Sequence, residues 1–208
     1  FGQPNAMRFF GSCNDRIDAN VNTTAIQGAM TFAFWVEKNG NGCIGPRILE
    51  FWSGSDANGT MQWNWDNNEN RPRMSQHQSS TNNSVSSVFG NPFIGNNQWV
   101  HCAYRNDNTT AEFFLNGVLV DSKPAASGTV ILASDLALGR MNHAAWDAFN
   151  GTLDEVVLYN RVLNDSEIAA LANITITGCT DPTACNYSTY ASEDDGSCTH
   201  ADYGRDCD

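Results

Sequence analysis

The dipeptide Asn116-Gly117 constrains this chain more than any other short feature. It stands between "AEFFL" and "VLVDS", two short apolar-rich runs. A two-residue β-hairpin loop of type I′ needs positive φ at both positions, which Asn-Gly adopts at little steric cost. A hairpin is predicted here, with "QWVHCAYRND" before it as a third strand of a meander.

A period of two runs through other segments of the chain. In "GAMTFAFWVEKNGNG", Met30, Phe32, Phe34 and Val36 share one strand face, and Thr31, Ala33, Trp35 and Glu37 share the other. "AMRFFGSCNDRID" opens the pattern, and "PRILEFWSG" and "TMQWNWDNN" read as two further strands. In the last of these, Met61, Trp63 and Trp65 point one way while Gln62, Asn64 and Asp66 point the other. Residues 67–97 are rich in Asn and Ser, with strands predicted around Arg73–Gln78 and Ser84–Phe89 between long loops. "VILASDLALGRM" and "GTLDEVVLYN" are the final strands. "NDSEIAALA" is the one good helix candidate, because Asn164 and Glu167 have the spacing of a capping box. Strands at regular spacing with a single short C-terminal helix predict an all-β fold, an antiparallel β-sandwich over residues 1–177. "NITIT" (Asn173–Thr177) is its exit strand or linker.

Residues 178–208 form a separate small, irregular module, rich in Cys and Asp. The net charge is −12, from 11 basic and 23 acidic residues. Half of it lies from Gly178 onward, where seven carboxylates face one arginine. That balance argues against nucleic acid, whose phosphates need basic stripes. No apolar run is long enough to span a membrane. The chain begins at Phe1 without an initiator Met, which fits a mature or trimmed secreted or cell-surface protein.

The seven cysteines include no C-x-x-C pair and no zinc-type His partner. Cys179, Cys185, Cys198 and Cys207 read as disulfides stapling a module too small to bury a core. Cys13, Cys43 and Cys102 leave an odd count. Cys43 with Cys102 is the expected bridge, and Cys13 can replace either. The remaining one is then a buried thiol or a link between chains.

The stretch "FNGTLDEVVLYNRVLNDSEIAAL" resembles the C-terminal signature of laminin-G-like, concanavalin-type jelly rolls. In that family a G-x-[IL]-D-[ED]-V strand runs into a Y-N-R-x-L turn and a short helix. "MRFFGSCNDRID" resembles the opening strand, "MTFAFWV" the strand carrying the core tryptophan, and "WVHCAY", "FFLNGVLV" and "LALGR" later strands in order. The resemblance covers most of Met7–Leu171 and implies a jelly roll, a fold that hosts lectins, adhesion modules and hydrolases. Gly178–Cys198 resembles a short G-C-[TM]-D-P-x-A-x-N-Y…D-D-G-S-C repeat of secreted and surface proteins of marine microbes.

The resemblance implies several candidate sites. Concanavalin-type glucanases set two carboxylates on one strand as E-x-D-x-E, and this sequence has no such array, so no enzyme is expected. His77, His101, His143 and His200 fall in no catalytic pattern. Relatives hold a structural Ca²⁺ between the first and last strands. Asp154 matches the last-strand ligand, with carbonyls near Gly11 and the side chain of Asn14 or Asp15 completing the shell. The alternative is that Asp154 simply binds backbone amides. In the tail, Asp181, Asn186, Asp194 and Asp195 are candidate calcium ligands.

Sugar sites set aromatic faces against sugar rings, with Asn, Asp, Gln and Arg at the hydroxyls. Trp52, Trp63, Trp65 and Trp146 are available. Trp146, with His143 and Asn142 nearby in "NHAAWDAFN", is the preferred candidate, while Trp63 and Trp65 can instead pack a sheet face. N-x-[ST] sequons begin at Asn22, Asn58, Asn82, Asn108, Asn150, Asn164, Asn173 and Asn186, and carry glycans only in a host with that machinery.

Two functions fit these readings. One is a non-catalytic recognition or adhesion module binding glycans, extracellular matrix or a cell surface. The other is a structural subunit of an extracellular filament, whose C-terminal module contacts the next copy of itself.

Overall fold

The structure is a computed structural model. It describes residues 6–12, 15–23, 28–40, 47–52, 61–66, 71–77, 84–89, 96–125, 135–140, 148–172, 177–187, 191 and 193–200. The side chains at 66, 71, 76, 77 and 84–89 fall outside that description.

Two six-stranded sheets form the sandwich. Sheet A runs in the order β1 (Met7–Phe10), β12 (Asn150–Tyr159), β3 (Met30–Lys38), β8 (Trp99–Asn106), β9 (Thr110–Leu115) and β10 (Val118–Pro124). Sheet B runs β2 (Ile17–Asn20), β11 (Asp135–Leu138), β4 (Arg47–Trp52), β5 (Met61–Asp66), β6 (Arg71–His77) and β7 (Ser84–Phe89). Every neighbouring pair in both sheets is antiparallel.

The alternation read from sequence decides which side chains meet between the sheets. Met30, Phe32, Phe34 and Val36 of β3 face inward to Met61, Trp63 and Trp65 of β5, with Phe51, Phe113 and Phe149 around them. Trp63 sits at the centre, its ring 4.8 Å from Phe34 and 5.2 Å from Phe113. Fully burying such large side chains stabilises the sandwich by about 1.5–3 kcal/mol each. Trp35, on the strand whose resemblance implies the core tryptophan, points outward instead. The core tryptophans come from β5.

The Asn116-Gly117 turn forms as the sequence requires, with φ of 47° and 76°. It joins β9 to β10. A Cβ at Gly117 would come within 2.9 Å of Ala169 Cα, so glycine also lets the hairpin tip approach the helix. That helix, α1 (Asp165–Leu171), has the predicted capping box between Asn164 and Glu167. It covers part of the outer face of sheet A, where Leu163 and Ile168 pack on Ala33, Ala103 and Phe114.

β12 contains one irregularity. Its pairing to β3 steps from Asp154↔Trp35 to Val157↔Ala33, which leaves one residue extra. That residue is Glu155, at φ 48°.

The expected Cys43–Cys102 bridge is corrected. Cys102 is a free, buried thiol on the inward face of β8, opposite Phe34 and Leu115. Strand alternation points its sulfur into the packed core. Cys13, Cys43 and Cys207 lie outside the described residues.

Beyond α1, β13 (Thr177–Gly178) pairs in parallel with β14 (Glu193–Asp194). The Cys179–Cys198 disulfide staples this piece as expected. Cys185 is also disulfide-bonded. Among the described residues no helix is long and apolar enough to cross a membrane.

Candidate functional site

Because β4 and β5 send their large apolar residues inward, the residues between them emerge on the outer face of sheet B. Strand register sorts these into rows. Asn20, Asp135 and Trp52 form one row across β2, β11 and β4. Asp18, Ala137, Glu50, Gln62 and Ser75 form the next, from β2 to β6. Arg47, Asn64 and Arg73 form a third.

The middle of this face is polar and yet screened from water. Glu50 is 0% and Arg47 6% exposed, and Gln62 and Ser75 are also buried. Arg47 Nη1 donates to Gln62 Oε1 and lies 3.9 Å from Glu50 Oε1. Such a charge pair keeps its members in place because breaking it would leave an ion buried without compensation. Glu50 is thus held inside the protein, away from solvent.

Towards the β2–β11 edge the face opens. A cavity of about 360 Å³ is lined by Asp18, Ala19, Asn20, Asp135 and Leu136. Asp18, Asn20 and Asp135 are exposed, and Trp52, half-buried, stands on the strand next to Asp135 in the same row. Arg16 Nη2 contacts Asp18 Oδ2 at 2.6 Å. The edge therefore combines one indole, one amide and two carboxylates beside a cavity. It can stack on an apolar ring face and accept hydrogen bonds from hydroxyls.

The residues expected at sites are distributed otherwise. Trp63 and Trp65 are corrected from ligand contacts to core. Both are buried between the sheets, and Lys38 Nζ lies 5.5 Å from the Trp65 ring centre. Trp146, His143 and Asn142 lie outside the described residues, as does Asn14.

The register of β1 with β12 separates Asp154 from Gly11. Phe10, which ends β1 just before Gly11, pairs with Asn150 and Met7 pairs with Leu153, so Asp154 lies four positions beyond the partner of Phe10. Four residues of strand span about 13 Å. Ligands of a single calcium ion lie at 2.3–2.6 Å from it, so these two cannot share a shell. Asp154 Oδ1 instead accepts the Glu155 backbone amide at 2.8 Å. Asp15 Oδ2 accepts the Phe10 amide.

In the tail, Asp194 and Asp195 each use one carboxylate oxygen on a nearby backbone amide, from Gly196 and Ser197 respectively. Hydrogen bonds from the Thr183 amide and hydroxyl, with His200 beside them, pull the Asp181 carboxyl down to about 2. Among the described residues no group of three or more His, Cys, Asp or Glu side chains is placed to hold a metal ion.

The sequons also separate. Asn22 and Asn108 are exposed. Asn164 caps α1, and Asn186 donates to the Ser197 carbonyl while accepting from the Thr199 amide. Asn150 is half-buried in β12, and Asn58, Asn82 and Asn173 lie outside the described residues.

Residues 10–169 match the family model of the concanavalin A-like lectin/glucanases superfamily. The chain belongs to that superfamily. Among solved structures, the superfamily fold recurs in the binding domain of Paraclostridial Mosquitocidal Protein 1, at TM-score 0.63 and 18% identity, over 81% of this chain and 43% of that one. The SAP-like pentraxin of Limulus polyphemus is similar at TM-score 0.60 and 13% identity, over 90% of this chain and 84% of that one. The CBM40 of Ruminococcus gnavus IT-sialidase, bound to α2,3-sialyllactose, is similar at TM-score 0.61 and 11% identity, over 80% and 96%. The chain spans less than half the length of the toxin binding domains it resembles. No curated protein sequence matches it.

Asp18, Asn20 and Asp135 were not among the residues singled out from sequence. The signal for them is the strand phase opposite to Trp63 and Trp65, the same phase that carries Gln62 and Asn64.

Proposed function

We propose that the chain is a non-catalytic recognition module of a secreted or cell-surface protein, binding carbohydrate on the outer face of sheet B. The observation that carries this is the row Asn20–Asp135–Trp52 beside the β2–β11 cavity. Sugar recognition needs an aromatic platform with amide and carboxylate groups around it. Burial of Glu50 supports binding over hydrolysis. The superfamily match and the likeness to a sialyllactose-bound CBM40 and to toxin binding domains support the same reading. The stapled tail supports an oxidising compartment. The test is a glycan array followed by titration against polysaccharides, with the wild type and Trp52→Ala. Binding that is lost in Trp52→Ala supports the proposal, and a folded wild type that binds no glycan counts against it.

A second reading, a subunit of an extracellular filament, is favoured by exposed apolar side chains on both edges of sheet A. Phe10 on β1 is 73% exposed and Val118 on β10 is 61% exposed. Edge strands offer unpaired backbone groups to a neighbour. A strictly monomeric species in sedimentation at high concentration would exclude it.

A further inference from the structure

We infer that the outer face of sheet A carries a second carbohydrate site, centred on Trp99 and Glu37 and separate from the Trp52 row of sheet B. It rests on the reading above for the class of ligand but shares none of its residues. The register places Arg8, Thr152, Glu37 and Trp99 in one row across β1, β12, β3 and β8. Strand alternation turns all four outward, because their neighbours Phe9, Leu153, Val36 and Val100 are buried in the core. Three strand spacings make the row about 14 Å long. Helix α1 does not cover it. The helix side packs on Ala33 and Ala103, four positions along β3 and β8 from Glu37 and Trp99. Four residues of strand span about 13 Å.

Trp99 and Glu37 are direct register partners, and both are half-buried. Among the described residues, neither the Trp99 indole nor the Glu37 carboxylate has a hydrogen-bond, ion-pair or ring partner. An aromatic face, an N–H donor and a carboxylate acceptor therefore stand side by side unengaged, as sugar recognition requires. At the other end of the row Arg8 is exposed. Its Nη1 donates to the Thr152 hydroxyl at 3.2 Å, which holds the guanidinium along the row. The next row, Asp154, Trp35 and His101, is packed, with the Trp35 ring edge-on to His101 at 5.4 Å. A flat polar row with an indole at one end suits a glycan laid across the strands. A protein partner needs a well-packed apolar centre instead. The exposed apolar side chain nearby, Phe10, is already engaged by Arg8, whose guanidinium carbon lies 5.5 Å from the ring centre. Since this row and the Trp52 row lie on opposite outer faces, one molecule holds two glycan chains.

The experiment is an array of neutral and anionic oligosaccharides probed with the wild type and Trp52→Ala, then calorimetry with the best-bound oligosaccharide of each. Trp99→Ala and Glu37→Gln are measured in both backgrounds, and a cooperative thermal melt checks that each variant is folded. The expected result is two sites per wild-type chain and one in Trp52→Ala. Adding Trp99→Ala to Trp52→Ala weakens the remaining site at least about tenfold, and Glu37→Gln weakens it several-fold. Wild-type binding that is wholly lost in Trp52→Ala overturns this inference and leaves the sheet B reading standing. Residual binding in Trp52→Ala that Trp99→Ala does not change overturns the placement on this row. Binding kept in Trp52→Ala at one site per wild-type chain, and lost in Trp99→Ala, supports this inference and overturns the sheet B assignment. A folded wild type that binds no glycan overturns both.

Discussion

Arg105 on β8 donates from Nη1 to Asp165 Oδ1 at 2.7 Å, joining sheet A to the first turn of α1 across 60 residues of sequence. The same guanidinium donates to Glu112 Oε2 at 2.7 Å and to the Leu163 carbonyl at 2.8 Å, and its carbon lies 4.8 Å from the Phe114 ring centre. One planar fork thus fixes a helix of only seven residues, which would not persist alone. Arg105→Met should lower stability by about 2–4 kcal/mol, because it leaves two carboxylates and a carbonyl short of a charged donor. Arg105→Lys should recover only part of that, since an ammonium cannot reproduce the fork. Urea denaturation of the three proteins gives the comparison.

His101 predicts a pH dependence. It lies buried on the outer side of β8, 2% exposed, with the Trp35 ring edge-on at 5.4 Å and Nδ1 without a hydrogen-bond partner. Burial pushes its pKa down from 6.5 to about 4. The unfolded imidazole therefore takes up its proton at higher pH than the folded one. Its contribution to stability is flat above pH 6.5 and falls as the pH drops towards 4, by up to about 3 kcal/mol. Thermal melts of wild type and His101→Gln between pH 7 and 4 should diverge in slope, with the variant losing less.

The Cys102 thiol should be inert in the folded protein. Burial raises its pKa, so the reactive thiolate is scarce at neutral pH. Alkylation followed by peptide mapping should leave Cys102 unmodified under native conditions and label it in denaturant. Cys102→Ser should destabilise by about 1–3 kcal/mol, because it buries a hydroxyl among apolar neighbours. Cys102→Ala should cost less than a polar replacement at this position.

Loss of the Cys179–Cys198 bridge should act locally. The tail's internal contacts include the Cys185 amide to the Thr199 carbonyl at 2.7 Å and the Asn186 side chain between Ser197 and Thr199. The two six-stranded sheets are complete before residue 160. The double variant Cys179→Ala, Cys198→Ala should expose residues 178–200 to protease and to hydrogen exchange. The sandwich strands should keep their protection in the same exchange experiment.

Much of the architecture is readable from residues alone, because its causes are local. Asn116-Gly117 dictates its own turn, Asn164 and Glu167 dictate the helix start, and alternation in β3 dictates which phenylalanines meet. The site is less legible, because it depends on which strands become neighbours. Trp63 and Trp65 attract notice as candidate sugar platforms, yet alternation alone does not say whether their face or that of Gln62 meets the opposite sheet. Trp52, Asp135 and Asn20 come from three separate segments and meet only through the order β2-β11-β4. Asp154 lies on β12 and Gly11 just past the end of the adjacent β1, but the register sets Asp154 four positions beyond the partner of Phe10. Nothing within either segment encodes that offset.

The extra residue in β12 has a consequence for how this strand tolerates change in length. Leu153 faces the core and Asp154 faces out. After Glu155, Val156 and Leu158 pack inward while Val157 and Tyr159 lie against the helix side. Deleting a residue within a strand ordinarily inverts every side chain beyond it. Here the positions on either side of Glu155 are already in phase with each other. Removing it would leave Leu153, Val156 and Leu158 on one face without a break, and would also remove a non-glycine residue at positive φ. β12 is ten residues long with the pairing of nine, and the surplus residue is one that it can lose without changing which side of the sheet any other residue occupies.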